Sequence, residues 1–224
     1  MFNDPNSFEK IMHQTNAMKL QNDVYGVLGA DDIASLCTGD VQMITPFLDY
    51  KISKLESGFK AISYGLSGAG YDIRCKALYR TVKNPEFPEI DPKNPESSIL
   101  VPMDTFCDES GVWVPLAPHG AYKGVSHEYF QMPSDVLGLC VGKSTLARVD
   151  TVQHITPIEP GWFGYLTMEI VNVSDYPVRF YLNEGVCQVL FIPVSCHTSY
   201  TGYYQGQNEQ RPYAATENPN ESTT

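Results

Sequence analysis

The chain has no CxxC pair, no long apolar run and no surplus of positive charge. Its 15 Lys and Arg stand against 26 Asp and Glu, a formal net charge of −11. That balance excludes nonspecific binding to nucleic acid and to anionic membrane surfaces, both of which need a positive field. A phosphate-bearing ligand therefore requires a local exception. Six cysteines (Cys37, Cys75, Cys107, Cys140, Cys187 and Cys196) are scattered, and their even count permits disulfides. A chain of 224 residues does not need them. Cys140 and Cys187 lie in apolar runs, where a free cysteine behaves as a small buried hydrophobe. No apolar run reaches the ~20 residues of a membrane helix, and the polar start MFNDPNSFEK carries no signal-peptide pattern. The expectation is a soluble, cytoplasmic protein. No internal repeat is present.

What is present divides the chain into three parts. Residues 1–40 read as a helical extension. Asn6 or Ser7 can cap a helix through Phe8, Ile11, Met12 and Met18, and a second short helix is predicted from Asp31 or Asp32 to Cys37, stopped by Gly39. From residue 41 to 207, short apolar runs such as VQMITPF, SILVPM, GVWVPL, DVLGLCV, YLTMEIVNV, VRFYL and VCQVLFIPV alternate with turn signals. Many short strands without long helical patterns between them indicate a mainly β domain, a sandwich or a barrel. Within it, NPEFPEIDPKNP from Asn84 to Pro95 reads as an exposed loop. Residues 208–224 are polar and read as a flexible tail.

The stretch 141–169, VGKSTLARVDTVQHITPIEPGWFGYLTME, supplies the local exception in charge. It holds a small basic segment from Lys143 to Arg148 and ends on Glu169 amid Leu166, Met168 and Ile170. Cations at one end and a lone carboxylate at the other suit an anionic substrate and a proton transfer. Apolar neighbours desolvate a carboxylate and raise its pKa towards a useful range. GKST is not a Walker A loop, because the first glycine of GxxxxGK[ST] would fall at Leu137. Zinc deaminases need an H-x-E and a P-C-x-x-C; neither pattern occurs here. That absence excludes a zinc-dependent deaminase.

Five blocks in order resemble the deoxycytidine triphosphate deaminases of the trimeric dUTPase-like superfamily. They are KAISYGLSGAGYDIR, VGKSTLAR, ITPIEPGWFGYLTMEI, NEGVCQVLF, and SY followed by YQGQ. The resemblance implies a distorted jelly-roll or β-clip barrel in a homotrimer, with sites between subunits. It implies hydrolytic deamination of dCTP to dUTP and ammonia, with Mg²⁺ carried on the triphosphate and no metal ligands from the protein. By matching position, Glu169 is the general base and acid, while Arg148 and Ser144 orient water and stabilise charge. Lys143 and Thr145, with the backbone of Leu146 and Ala147, are implied phosphate contacts.

Thr156 and Pro157 would line the base, and the backbone of Thr167 and Met168 would read its edge. Glu159 would accept from the sugar hydroxyl, and Trp162 would pack under the turn. Gln188 and Tyr200 match phosphate or base contacts, and Gln207 belongs to a C-terminal lid. Asp72 and Arg74 are expected to form a structural ion pair at the subunit contact, and His154 to be a strand-end histidine behind the site. The lid departs from the family pattern. Only Thr201, Gly202 and Tyr203 link SY to YQGQ, without the usual cations. Arg179, Lys123 or the longer N-terminus could compensate, or the substrate could carry fewer phosphates. Rival readings are a dUTP pyrophosphatase, a bifunctional deaminase forming dUMP, and a nucleotide sensor without turnover.

Overall fold

A computed structural model describes residues 26–93, 99–195 and 197–208. The helix expected around Phe8 to Met18 and the tail beyond Asn208 lie outside these residues. The elements in chain order are α1 (Ala30–Leu36), β1 (Ile44–Thr45), β2 (Lys51–Lys54), β3 (Lys60–Leu66), β4 (Tyr71–Thr81), β5 (Leu100–Pro102), β6 (Phe106–Asp108) and β7 (Gly111–Leu116). There follow β8 (Ala121–Gln131), β9 (Val136–Gly142), α2 (Ser144–Ala147), β10 (Thr151–His154), β11 (Phe163–Asn172), β12 (Val178–Tyr181) and β13 (Gly185–Pro193). The mainly β expectation holds.

A ten-stranded sheet runs β10-β11-β8-β4-β13-β9, with β1, β2, β3 and β5 attached to its sides. A separate three-stranded sheet runs β12-β7-β6. The short helix predicted from Asp31 forms one residue earlier, with Asp31 and Asp32 in its first turn, where carboxylates complement the helix dipole. Asp32 also accepts the Gly29 N–H at 3.1 Å. Leu28 and Ile33 are fully buried in the β-domain core, and the Leu28 N–H donates to the Phe191 carbonyl at 2.8 Å. Residues 84–93 of the Pro-rich loop are largely exposed, as expected.

The core strands follow a period of two. In β11, Gly164, Leu166, Met168 and Ile170 are buried, and Tyr165, Thr167 and Glu169 stand half-buried on the other face. Met168 and Ile170 are fully buried, each worth about 1.5–3 kcal/mol of apolar transfer. Strand β8 breaks the apolar rule. It reads AYKGVSHEYFQ yet lies between β11 and β4. Its inward polar groups are satisfied: the Ser126 hydroxyl donates to the Glu128 carbonyl at 2.6 Å and accepts the Leu166 N–H at 2.8 Å. Glu128, fully buried, accepts from Arg74 Nε at 2.7 Å and from the Arg74 N–H at 2.9 Å.

That contact corrects one expectation. Asp72 and Arg74 do not pair with each other. Two residues apart on β4, each is taken by a different neighbour: Arg74 meets Glu128 at 2.7 Å, while Asp72 meets Lys143 at 2.8 Å and Lys51 at 3.3 Å.

Candidate active site

Glu169 is placed by three adjacent strands. On β11 it stands opposite His154 of β10 on one side and Lys123 of β8 on the other. A register shift between Tyr165 and Thr167, sealed by Ser126 taking the Leu166 N–H, lies just before it. Such a bulge re-aims the side chains that follow. Burial pushes the Glu169 carboxyl above the usual carboxylate range, opposed mainly by the Lys123 ammonium and more weakly by His154. Lys123 Nζ lies 3.8 Å from Glu169 Oε1.

Glu169 lines a cleft of about 670 Å³ together with Thr156, Pro157, Glu159, Thr167, Tyr200 and Gln207. The volume is in the range that holds a small ligand. Lys123, Trp162 and Tyr204 share its walls, and Ile90 and Pro92 bring the Pro-rich loop to its rim. Sequence reasoning considered Lys123 only as a distant cation and gave Tyr204, Ile90 and Pro92 no role. Tyr204 opens the YQGQ block, so a signal for it existed; Ile90 and Pro92 sit in a loop whose composition says only that it is exposed. The Met168 side chain lies in the core, which leaves only its backbone for a ligand.

The C-terminal segment closes one end of the cleft. Gln207 is only 7% exposed, and its side-chain amide donates to Thr167 Oγ1. The Tyr165 N–H donates to the Gln207 carbonyl at 2.9 Å and the Gly206 N–H to the Phe163 carbonyl at 2.9 Å. Trp162 Nε1 donates to the Tyr204 carbonyl at 2.8 Å, and Gln205 Nε2 donates to the carbonyls of Gly161 and Tyr200, both at 3.0 Å. Trp162 therefore both packs and ties down this segment. Gly164, at φ +144, permits the approach, because a Cβ there would lie 2.8 Å from Gln207 backbone atoms.

The basic segment forms a second group elsewhere on the chain. α2 anchors itself through Leu146, which is 2% exposed, and leaves Ser144, Thr145, Ala147 and Arg148 on the surface. Arg148 Nη1 donates to Ser144 Oγ at 3.3 Å. Lys143 is held by Asp72, and nearby Gln188 donates to Ser67 Oγ at 2.9 Å and the Ala69 carbonyl at 3.2 Å. β10 separates the two groups. Arg148 precedes Thr151 at one end while Glu169 faces His154 at the other, roughly 10 Å further along the strand. Thr145 and Leu146 line a different cleft, of about 730 Å³, with Arg179 and Tyr181. Arg179 is committed there, 3.0 Å from Asp108 and 4.2 Å above the Trp113 ring, and takes no part in the Glu169 cleft.

Among the described residues, no three His, Cys, Asp or Glu side chains converge to hold a metal ion. No helix among them is long and apolar enough to cross a membrane.

The model of the "dCTP deaminase-like" family matches residues 28–194. A dCTP deaminase of Anaplasma phagocytophilum (strain HZ) is 40% identical over 172 residues, covering 75% of this chain and 87% of that protein. A dCTP deaminase of Burkholderia mallei (strain SAVP1) is 39% identical over 171 residues, covering 74% and 87%. The fold resembles the crystal structure of 2'-deoxycytidine 5'-triphosphate deaminase from Agrobacterium tumefaciens, with TM-score 0.53 and 17% identity over 76% of this chain and 48% of that one. The match runs from the core residue Leu28 through the cleft-forming strands to the end of β13, and on that extent the chain belongs to the dCTP deaminase-like family.

Proposed function

We propose that this chain hydrolyses dCTP to dUTP and ammonia, with Glu169 as the group that moves the protons. The observation that carries the reading is a half-desolvated carboxylate at the wall of a ligand-sized cleft, beside Thr156, Pro157 and the docked Gln207. Attack of water on C4 of the cytosine requires a base to take the water's proton. N3 and then the departing amine must gain protons as the C4–N bond breaks. One carboxylate with a raised pKa does both in turn, accepting from water and giving to the ring and to ammonia. Thr156 and Pro157 would line the base, and Glu159 would accept from the sugar hydroxyl.

Lys143, Thr145 and the backbone of α2, with Gln188, would hold the triphosphate, and Arg148 with Ser144 would orient the water. These residues lie a strand's length from Glu169 within one chain. The proposal therefore includes a homotrimer in which α2 of one protomer completes the cleft of its neighbour. Mg²⁺ enters as the counter-ion of the substrate's triphosphate, and no zinc is required.

The test is incubation with dCTP while ammonia and pyrophosphate are followed separately. Ammonia without pyrophosphate is expected. Both together would replace the proposal with a bifunctional enzyme forming dUMP, and nucleotide binding without ammonia would leave a sensor.

A further inference from the structure

Lys123 has no place in the motifs that define the family resemblance, yet it is the cation nearest the proposed base. It stands in the middle of the sheet, directly across the β8–β11 ladder from Glu169, with Tyr79 of β4 opposite it on the other side. Its side chain is 27% exposed and Glu169's is 38% exposed, so both are partly withdrawn from water on the cleft wall. A charge pair in such a setting is less screened than one on the open surface. The separation of 3.8 Å is too long for a hydrogen bond. The attraction is therefore between charges, and the carboxylate oxygens remain available to a substrate proton.

Within the chain, the other groups facing Glu169 do not replace this cation, and the Arg148 that the proposed trimer brings to the cleft is assigned to the water. From β10 comes His154, whose side chain is exposed. From the segment after β10 comes Glu159, an acid and not a cation. The C-terminal segment brings Tyr200, Tyr204 and Gln207, none of them cationic. Desolvation by the same walls works against the carboxylate.

We propose that Lys123 is a positioning residue for Glu169: its ammonium, fixed across the strand pair, keeps the carboxylate ionised and directed into the cleft. The inference rests on Glu169 being the base, and it separates two tasks within the site. Phosphate is gripped by the segment around Lys143, while the cation at Lys123 serves the proton transfer. The lid's missing cations are not made good by Lys123.

The experiment reads Glu169 directly. Protein labelled with ¹³C at the glutamate side-chain carboxyl is titrated by NMR, and the Glu169 signal is identified by its loss in Glu169→Gln. In Lys123→Met the midpoint moves up by about half a pH unit, the shift that a partly exposed ion pair supports. Lys123→Arg restores it, and Lys123→Gln, which keeps the site polar, repeats the shift if the Met variant does not fold. The acid limb of kcat/KM for ammonia release moves with the midpoint. An unmoved midpoint overturns the proposal, as does a rise in KM alone with the pH profile unchanged, which would make Lys123 a substrate contact. If the parent protein releases no ammonia, the deaminase reading fails, while the NMR titration still decides the role of Lys123.

Discussion

Gln207 donates its side-chain amide to Thr167 Oγ1, two residues before Glu169 on the same face of β11. The C-terminal segment is thereby joined to the strand that carries the proposed base. Gly164→Ala should break this junction, since the added Cβ would collide with Gln207 backbone at 2.8 Å. The expected outcome is a fall in kcat/KM of about tenfold, the value of one or two lost hydrogen bonds. The thermal midpoint, read by calorimetry, should fall as well, because Gly164 is buried and alanine is strained at φ +144.

Glu169→Gln should lower kcat for ammonia release at least about 100-fold while nucleotide binding persists, as measured by steady-state kinetics and calorimetric titration. Its stability should vary with pH in a definite sense. The folded chain holds the Glu169 proton to higher pH than the unfolded chain, whose value is near 4.5. Stability from this group is thus fully present below that value and lost as pH rises through the folded one. Glu169→Gln should be the more stable form at neutral pH, and the difference should close in acid. Denaturation at several pH values checks this.

Asp72→Asn should loosen the phosphate grip. Asp72 is buried between Lys143 and Lys51, so the change leaves Lys143 only 11% exposed and without its closest counter-charge. A loss of about 3 kcal/mol in chemical denaturation is expected, with a raised KM for dCTP and a smaller change in kcat.

Glu128→Ala should be among the most damaging core changes, at about 3–5 kcal/mol by urea denaturation, because it leaves the Arg74 guanidinium buried without its partner.

Mixing two inactive variants tests the shared cleft. Glu169→Gln and Arg148→Ala proteins, unfolded and refolded together, should regain part of the ammonia-releasing activity that neither shows alone. Mixed trimers would contain clefts built from two intact halves. No recovery would mean that both groups serve within one chain.

The sequence revealed those parts of this molecule whose residues obey a short-range rule. YLTMEIVNV alternates with period two, and β11 forms where the pattern runs, with Glu169 on the half-exposed face. Asp31 and Asp32 mark the first turn of α1. Strand β8 escaped because its alternation is written in Lys, Ser, His and Glu. The reasons Glu128 and Ser126 tolerate burial, Arg74 and the Leu166 N–H, lie on other strands.

Lys143 was readable as a cation but not as one already held by Asp72, since that contact depends on how β4 lies against β13. Lys123 lacked a local signal for the same reason. Its importance comes from the residue across the ladder, and register is a property of the folded sheet. The cleft itself was readable only through the family resemblance, because it joins strand, turn and C-terminal segment from distant parts of the chain.

The Gly164–Gln207 junction has a consequence for timing. With the segment docked on β11 and Trp162 bonded to the Tyr204 carbonyl, a nucleotide using the proposed site would have to part several backbone bonds together to enter or leave. In the proposed reaction, that opening recurs in every cycle and is indifferent to how fast the cytosine reacts. A more viscous solvent should then slow the enzyme even when its chemistry is untouched.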